Sequence, residues 1–132
     1  MLLGIIQIGY AQTQGGYMVA YVVQNVVLQN VTVPPMADQM VKTTELSDGT
    51  QVIDYKNGVR LILNADKTIE KLSADRMTRQ VFVFKGNKTE ISQYQEINGR
   101  TYCVNFKQNR NGDFVADTSK EVSRDALTSL WD

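Results

Sequence analysis

The first charged side chain of this 132-residue chain is Asp38, so residues 1–37 carry none of its 28 charges and residues 38–132 carry all of them. An apolar, uncharged stretch of that length has to be buried against something, because soluble proteins rarely leave so much contiguous apolar surface open. It closes on Val33-Pro34-Pro35-Met36, and two successive prolines make a stiff joint that neither a helix nor a central strand accepts. The chain therefore divides into an N-terminal arm, 1–37, and a body, 38–132.

Three readings compete for the arm. Residues 2–11 have the apolar core and small-x-small ending of a secretory signal, but the basic start is missing, because Leu2 follows Met1 directly. A membrane span needs about 20 largely apolar residues. The better stretch, 17–33, is interrupted by Gln24, Asn25, Gln29 and Asn30, so membrane anchoring is possible but not favoured. The third reading is an extended arm. Seven of the 17 residues in 17–33 are valine, and β-branched side chains favour strand over helix. Tyr17, Val19, Tyr21 and Val23 share one face of such a strand, and its other face is apolar too. It wants cover on both sides, from its own body or from a neighbouring copy.

The body is punctuated by turn chemistry. Asp48-Gly49, Asn57-Gly58 and Asn98-Gly99 are hairpin dipeptides, because Gly and Asn accept positive φ at little cost. Between these and softer turns lie β-rich runs at 50–55, 59–63, 80–84, 89–95, 101–106 and 113–116. That spacing predicts a mainly β fold, an antiparallel meander, sandwich or barrel-like. Val81-Phe82-Val83-Phe84 is apolar on both faces and predicts the most central strand. The piece 65–79 fits either strand or helix, with strand to Leu72 and then a loop preferred. At the C-terminus, Thr118-Ser119-Lys120-Glu121 has the form of a capping box. Val122, Ala126, Leu127, Leu130 and Trp131 follow at helical spacing. A short amphipathic helix is expected over 119–131.

Asp48-Gly49-Thr50, Tyr55-Lys56-Asn57-Gly58 and Asn64-Ala65-Asp66-Lys67-Thr68 resemble the hairpin repeats of single-layer β-sheets such as the centriolar G-box. The resemblance spans about 20 residues and departs where Ala65-Asp66 stands in place of the next glycine turn. It implies an antiparallel meander.

The composition excludes several chemistries. Without histidine there is no Ser-His-Asp triad and no Cys-His dyad, and a single cysteine allows no disulfide framework and no multi-cysteine zinc site. Cys103 reads as an inert buried thiol. Asp54 with Glu70, or Glu90 with Glu96, could pair as catalytic carboxylates, but nothing in their spacing indicates a cleft. Asn109 to Asp113 with Asp117 has the Asx density of a calcium loop but lacks its full alternating ligand set, and the closing position falls on Lys120 or Glu121 depending on register, so a hairpin turn is expected. Arg100, Tyr102, Phe106, Lys107 and Arg110 could form a basic-aromatic face for single-stranded nucleic acid. A net charge of zero leaves no strong nucleic-acid signal. Asn30 and Asn87 open glycosylation sequons, meaningful only in a secretory pathway.

No enzyme, cofactor or metal is therefore expected. The expected function is that of a structural subunit of a multi-copy assembly: a virion, a phage tail or a pilus-like filament. Its partners would be copies of itself and other assembly subunits. The subunit contacts would come from Tyr17, Val19, Tyr21, Val23, Val26, Val27, Leu28, Val31 and Val33, with Trp131 as a further anchor. The alternatives are a secreted or cell-envelope (periplasmic) β-domain binding protein, and a small membrane-anchored protein.

Overall fold

A computed structural model describes residues 26–127 of the chain. Eight strands follow one another: β1 Met40–Glu45, β2 Gln51–Tyr55, β3 Arg60–Leu63, β4 Ile69–Leu72, β5 Thr78–Lys85, β6 Lys88–Ile97, β7 Arg100–Gln108 and β8 Phe114–Val122. They form one sheet in chain order, each antiparallel to the next, with β1 and β8 at its ends. The expected meander is there as a single eight-stranded sheet. Strand β1 has no counterpart in the sequence reading. Its Lys42-Thr43-Thr44-Glu45 run is polar on both faces, a composition that suits an edge strand and gives no core periodicity.

The first four hairpins repeat a nine-residue unit. Asp48, Asn57, Asp66 and Asp75 recur every nine residues. Each accepts, through its side-chain oxygen, the backbone N–H two residues on, from Thr50, Val59, Thr68 and Met77 at 2.9–3.1 Å. The next residue in each case has positive φ: Gly49, Gly58, Lys67 and Arg76, at 94°, 90°, 78° and 60°. Its N–H closes the turn on the carbonyl three residues back. Lys67 and Arg76 thus do in the third and fourth turns what glycine does in the first two, with the Asx side chain holding the chain in place.

These turns carry a pH dependence. The Thr50 backbone and hydroxyl hold the Asp48 carboxyl below its ordinary value, and the Thr68 hydroxyl and backbone do the same for Asp66. Asp75 is lowered by the Ser73 hydroxyl and the Met77 backbone. A carboxyl lowered on folding contributes stability that is complete above the unfolded aspartate value, about 3.9. That stability is lost as pH falls through the lower folded values. Urea midpoints should therefore drop between pH 6 and pH 3, and the drop should shrink when Asp48, Asp66 and Asp75 are all changed to Asn. Asn57 already makes the same turn with no titrating group. An unchanged acid slope in the triple variant would remove the turns as its source.

Register divides the side chains between two faces, because directly opposed residues in an antiparallel pair point the same way. Ile53, Leu61, Lys71, Gln80, Gln93 and Val104 form one row of the front face. Asp54, Arg60, Leu72, Arg79, Tyr94, Cys103 and Lys120 form a row of the back. Each face has its own core. On the front, Ile91, Tyr102, Val104 and Phe106 pack with Phe82, Ile97, Phe114 and Ala116 and with Val26 and Leu28 of the arm. On the back, Val52, Ile62 and Leu72 form a second cluster.

Strand β5 takes one of the two middle positions in the sheet, as Val81-Phe82-Val83-Phe84 predicted. The most extensive burial nevertheless lies in β7, where Thr101 to Val104 and Phe106 are all buried, while Phe84 is half exposed. Two-faced apolarity marked an interior strand, but cover by the arm decides which strand is sealed.

The C-terminal reading is corrected by the structure. Residues expected in a helix over 119–131 instead continue β8 to Val122, paired throughout with β7, and a single 3-10 turn, Arg124–Ala126, follows. The capping box fails because Thr118, Lys120 and Glu121 stand opposite Asn105, Cys103 and Tyr102, so the ladder takes their backbone groups. Ser123 caps the turn instead, accepting the Asp125 N–H at 3.2 Å. Trp131 lies outside the described residues.

Candidate interaction site at the arm

From Val26 to Pro35 the arm has no regular secondary structure. It lies on the front face, with Val26 and Leu28 against the core and Val31 buried further along. Its main chain is held by two glutamines. The Gln93 side-chain carbonyl accepts the Gln29 N–H at 2.8 Å, and its amide donates to the Val27 carbonyl at 3.1 Å. The Gln80 amide donates to the Gln29 carbonyl at 2.7 Å and to the Gln93 oxygen at 2.8 Å. Both backbone groups of Gln29 are thus read by side chains from β5 and β6. Further on, the Asn57 amide donates to the Thr32 carbonyl at 3.3 Å. A groove of about 300 Å³ runs there between Asn30, Val31 and Thr32 and the turns at Asn57 and Asp75.

Gln80 and Gln93 are 2 % and 0 % exposed, and buried amides are tolerated only when their hydrogen bonds are made. Directly opposed on neighbouring strands, they form one unit. The Gln93 amide also donates to Gln95, which fixes its orientation. This clamp was missed in the sequence, although a signal existed. Ile91, Gln93, Gln95 and Ile97 alternate on one face of β6, and an uncharged amide flanked by apolar neighbours on a core face is the pattern of a buried polar group with a partner.

The expected contact residues separate as follows. Val26, Leu28 and Val31 face the sheet, Val33 is half-buried, and Val27 is 70 % exposed. Tyr17, Val19, Tyr21 and Val23, like Trp131, lie outside the described residues.

The structure distributes the candidate chemistry rather than gathering it. Asp54 is engaged by Arg60 at 2.7 Å and Glu70 by Arg79 at 2.8 Å. Glu90 pairs with Lys85 and Glu96 with Arg124. The basic-aromatic set is split: Tyr102 and Phe106 are buried in the front core, Arg100 pairs with Glu121, and Lys107 pairs with Asp117 from the back face. Burial also pushes the Tyr102 phenol above its ordinary value. Asn109 accepts the N–H groups of Asn111 and Asp113, making a hairpin turn of the stretch read as a possible calcium loop. Cys103 is free and buried. Among the described residues there is no cluster of three or more metal-ligating side chains, and no helix is long and apolar enough to cross a membrane.

Comparison with protein-family models, with curated proteins and with solved structures finds no match to this chain.

Proposed function

We propose that the protein is a non-enzymatic structural subunit of a multi-copy assembly at a virion or cell surface, in which the uncharged arm makes the contacts between copies. One observation carries this reading. Six large hydrophobic residues are exposed among those described, and three of them, Val27, Met36 and Val41, lie in the arm, at its joint and in the edge strand that follows. The arm's inner side is engaged by the clamp and the front core, while Val27 turns an apolar side chain outward. Clustering of exposed apolar residues on one segment is how an association surface differs from scattered ones. The described part of the arm, from Val26, also lies across the sheet without joining its ladder, and Pro34-Pro35 separate it from β1. The same hydrogen bonds would be made by the arm of another copy, since Gln80 and Gln93 read backbone rather than side chains. Such exchange of an identical element is a low-cost route to oligomers.

Light scattering behind size exclusion tests this on the full chain over a wide concentration range. A mass that is a multiple of 14.9 kDa is expected. Val27→Asp should shift it to the monomer with an unchanged far-ultraviolet circular dichroism spectrum, because Val27 contributes little to its own domain's core. A wild-type chain that stays at 14.9 kDa at every concentration would overturn the proposal.

A further inference from the structure

Three Asn-Gly pairs occur in the chain, Asn57-Gly58, Asn98-Gly99 and Asn111-Gly112. The pair is chemically fragile, because glycine, with no Cβ, lets its backbone nitrogen approach the preceding amide carbon closely. What the folded chain does with both groups decides the outcome, and the three turns treat them differently. At Asn57 every group is engaged. Its side-chain oxygen accepts the Val59 N–H at 3.1 Å, its amide donates to the Thr32 carbonyl at 3.3 Å, and the Gly58 N–H donates to the Tyr55 carbonyl at 2.9 Å. At Asn111 the attacking group is engaged, because the Gly112 N–H donates to the Asn109 carbonyl at 3.0 Å. The Asn111 N–H is held as well, by the Asn109 side chain at 2.9 Å.

Asn98-Gly99 differs from both. It is the whole of the loop between β6 and β7, whose flanking residues Ile97 and Arg100 directly oppose each other. Both loop residues take positive φ, 53° and 81°, as a tight two-residue hairpin loop of Asn-Gly requires. The flanking strand residues close such a turn, so the N–H of its second loop residue is left over. Among the described residues, neither the Gly99 N–H nor the Asn98 side chain has a hydrogen-bond partner, and both residues are exposed.

We infer that Asn98 is a site of spontaneous covalent modification, converted through a cyclic imide to aspartate and isoaspartate, while the fold protects Asn57 and Asn111. The Gly99 nitrogen gives its proton to a solvent base and attacks the Asn98 side-chain carbonyl carbon. The new C–N bond closes a five-membered imide, and the Cγ–Nδ2 bond breaks as ammonia leaves with a proton from water. Water then adds to either imide carbonyl and opens the ring. The sum is amide plus water to carboxylate plus ammonium, with no oxidant or reductant. The isoaspartate product carries the main chain through the side-chain carbon and so lengthens a two-residue loop. Ile97 beside it packs against the front core, and that product therefore loosens the end of the β6–β7 ladder. Protection of Asn57 preserves the arm, because a carboxylate there would face the Thr32 carbonyl that the amide now binds.

Trypsin places the three sites in separate peptides, 89–100, 57–60 and 111–120, so mass spectrometry of the aged full chain reads them independently against a fresh sample. In warm neutral buffer the acid form should accumulate in 89–100 at least about tenfold faster than in 57–60, where three hydrogen bonds must open first. Isoaspartyl methyltransferase should label the aged chain, and Asn98→Gly, which suits the same turn, should remove most of that label. In concentrated urea the three rates should converge. Conversion at Asn57 or Asn111 that keeps pace with Asn98 in the folded chain would overturn the inference. So would an order of reactivity that survives in urea, since it would then come from the neighbouring sequence and owe nothing to the fold.

Discussion

Gln93→Ala is expected to lower stability by about 3–4 kcal/mol, and to release the arm from the sheet before the sheet itself unfolds. The side chain is fully buried and makes hydrogen bonds to the Gln29 N–H, the Val27 carbonyl, the Gln80 amide and Gln95. Its removal strands several groups in a water-poor site, each at a cost of about 1–3 kcal/mol, partly recovered where water enters. The truncation also leaves a cavity in a packed face. For a domain of this size a thermal midpoint loss of roughly 10–15 °C follows. Amide exchange at Gln29 should accelerate more than exchange in β6 and β7, because the arm depends on the clamp directly and the ladder does not. Gln95→Ala, at a half-buried position that serves the clamp only as an acceptor, should cost under about 1 kcal/mol. Equal losses for the two variants would mean that the clamp does not hold the arm.

The second large effect is expected at a turn. Gly58 has φ +90°, and a Cβ built there falls 2.9 Å from the Ala74 Cβ. The two turns are tied by Arg76, which donates to the Gly58 carbonyl at 2.9 Å. Gly58→Ala therefore meets both a left-handed backbone, about 1–2 kcal/mol, and an overlap with the neighbouring hairpin, giving about 3 kcal/mol in all. Gly49 has φ +94° and nothing within 4 Å of the added carbon, so Gly49→Ala should show the backbone part alone. Urea denaturation of both variants separates the terms. If they lose the same amount, the Gly58–Ala74 approach contributes nothing.

The repeat itself shows how far turn chemistry can be read. Asp48-Gly49 and Asn57-Gly58 declare themselves through glycine. Asp66-Lys67 and Asp75-Arg76 do not, because the residue at positive φ is a long cation there and only the Asx two residues before the capped N–H continues the pattern. The strand to Leu72 and the loop after it were legible from composition, and the nine-residue spacing of the Asx residues is in the sequence, yet that they make four equivalent turns emerges only when the hydrogen bonds are seen side by side. The end of the chain misled for a related reason. Val122, Ala126 and Leu127 do share a helical spacing, but strand β7 offers Thr118 to Val122 a ladder of long-range hydrogen bonds. Tertiary pairing outweighs a local cap worth about 1 kcal/mol.

By itself the sequence determined the uncharged arm and its diproline joint, the antiparallel meander and most of its strands. Those follow from local rules: charge patterning, the geometry of proline, and the acceptance of positive φ by glycine and asparagine. Only the tertiary structure decided that the described part of the arm crosses the front face instead of joining the ladder. It alone paired Gln80 with Gln93 and gave the sheet a core on each side. Those outcomes depend on which residues become neighbours across strands. A two-residue period states that a side chain is covered, but it carries no information about what covers it.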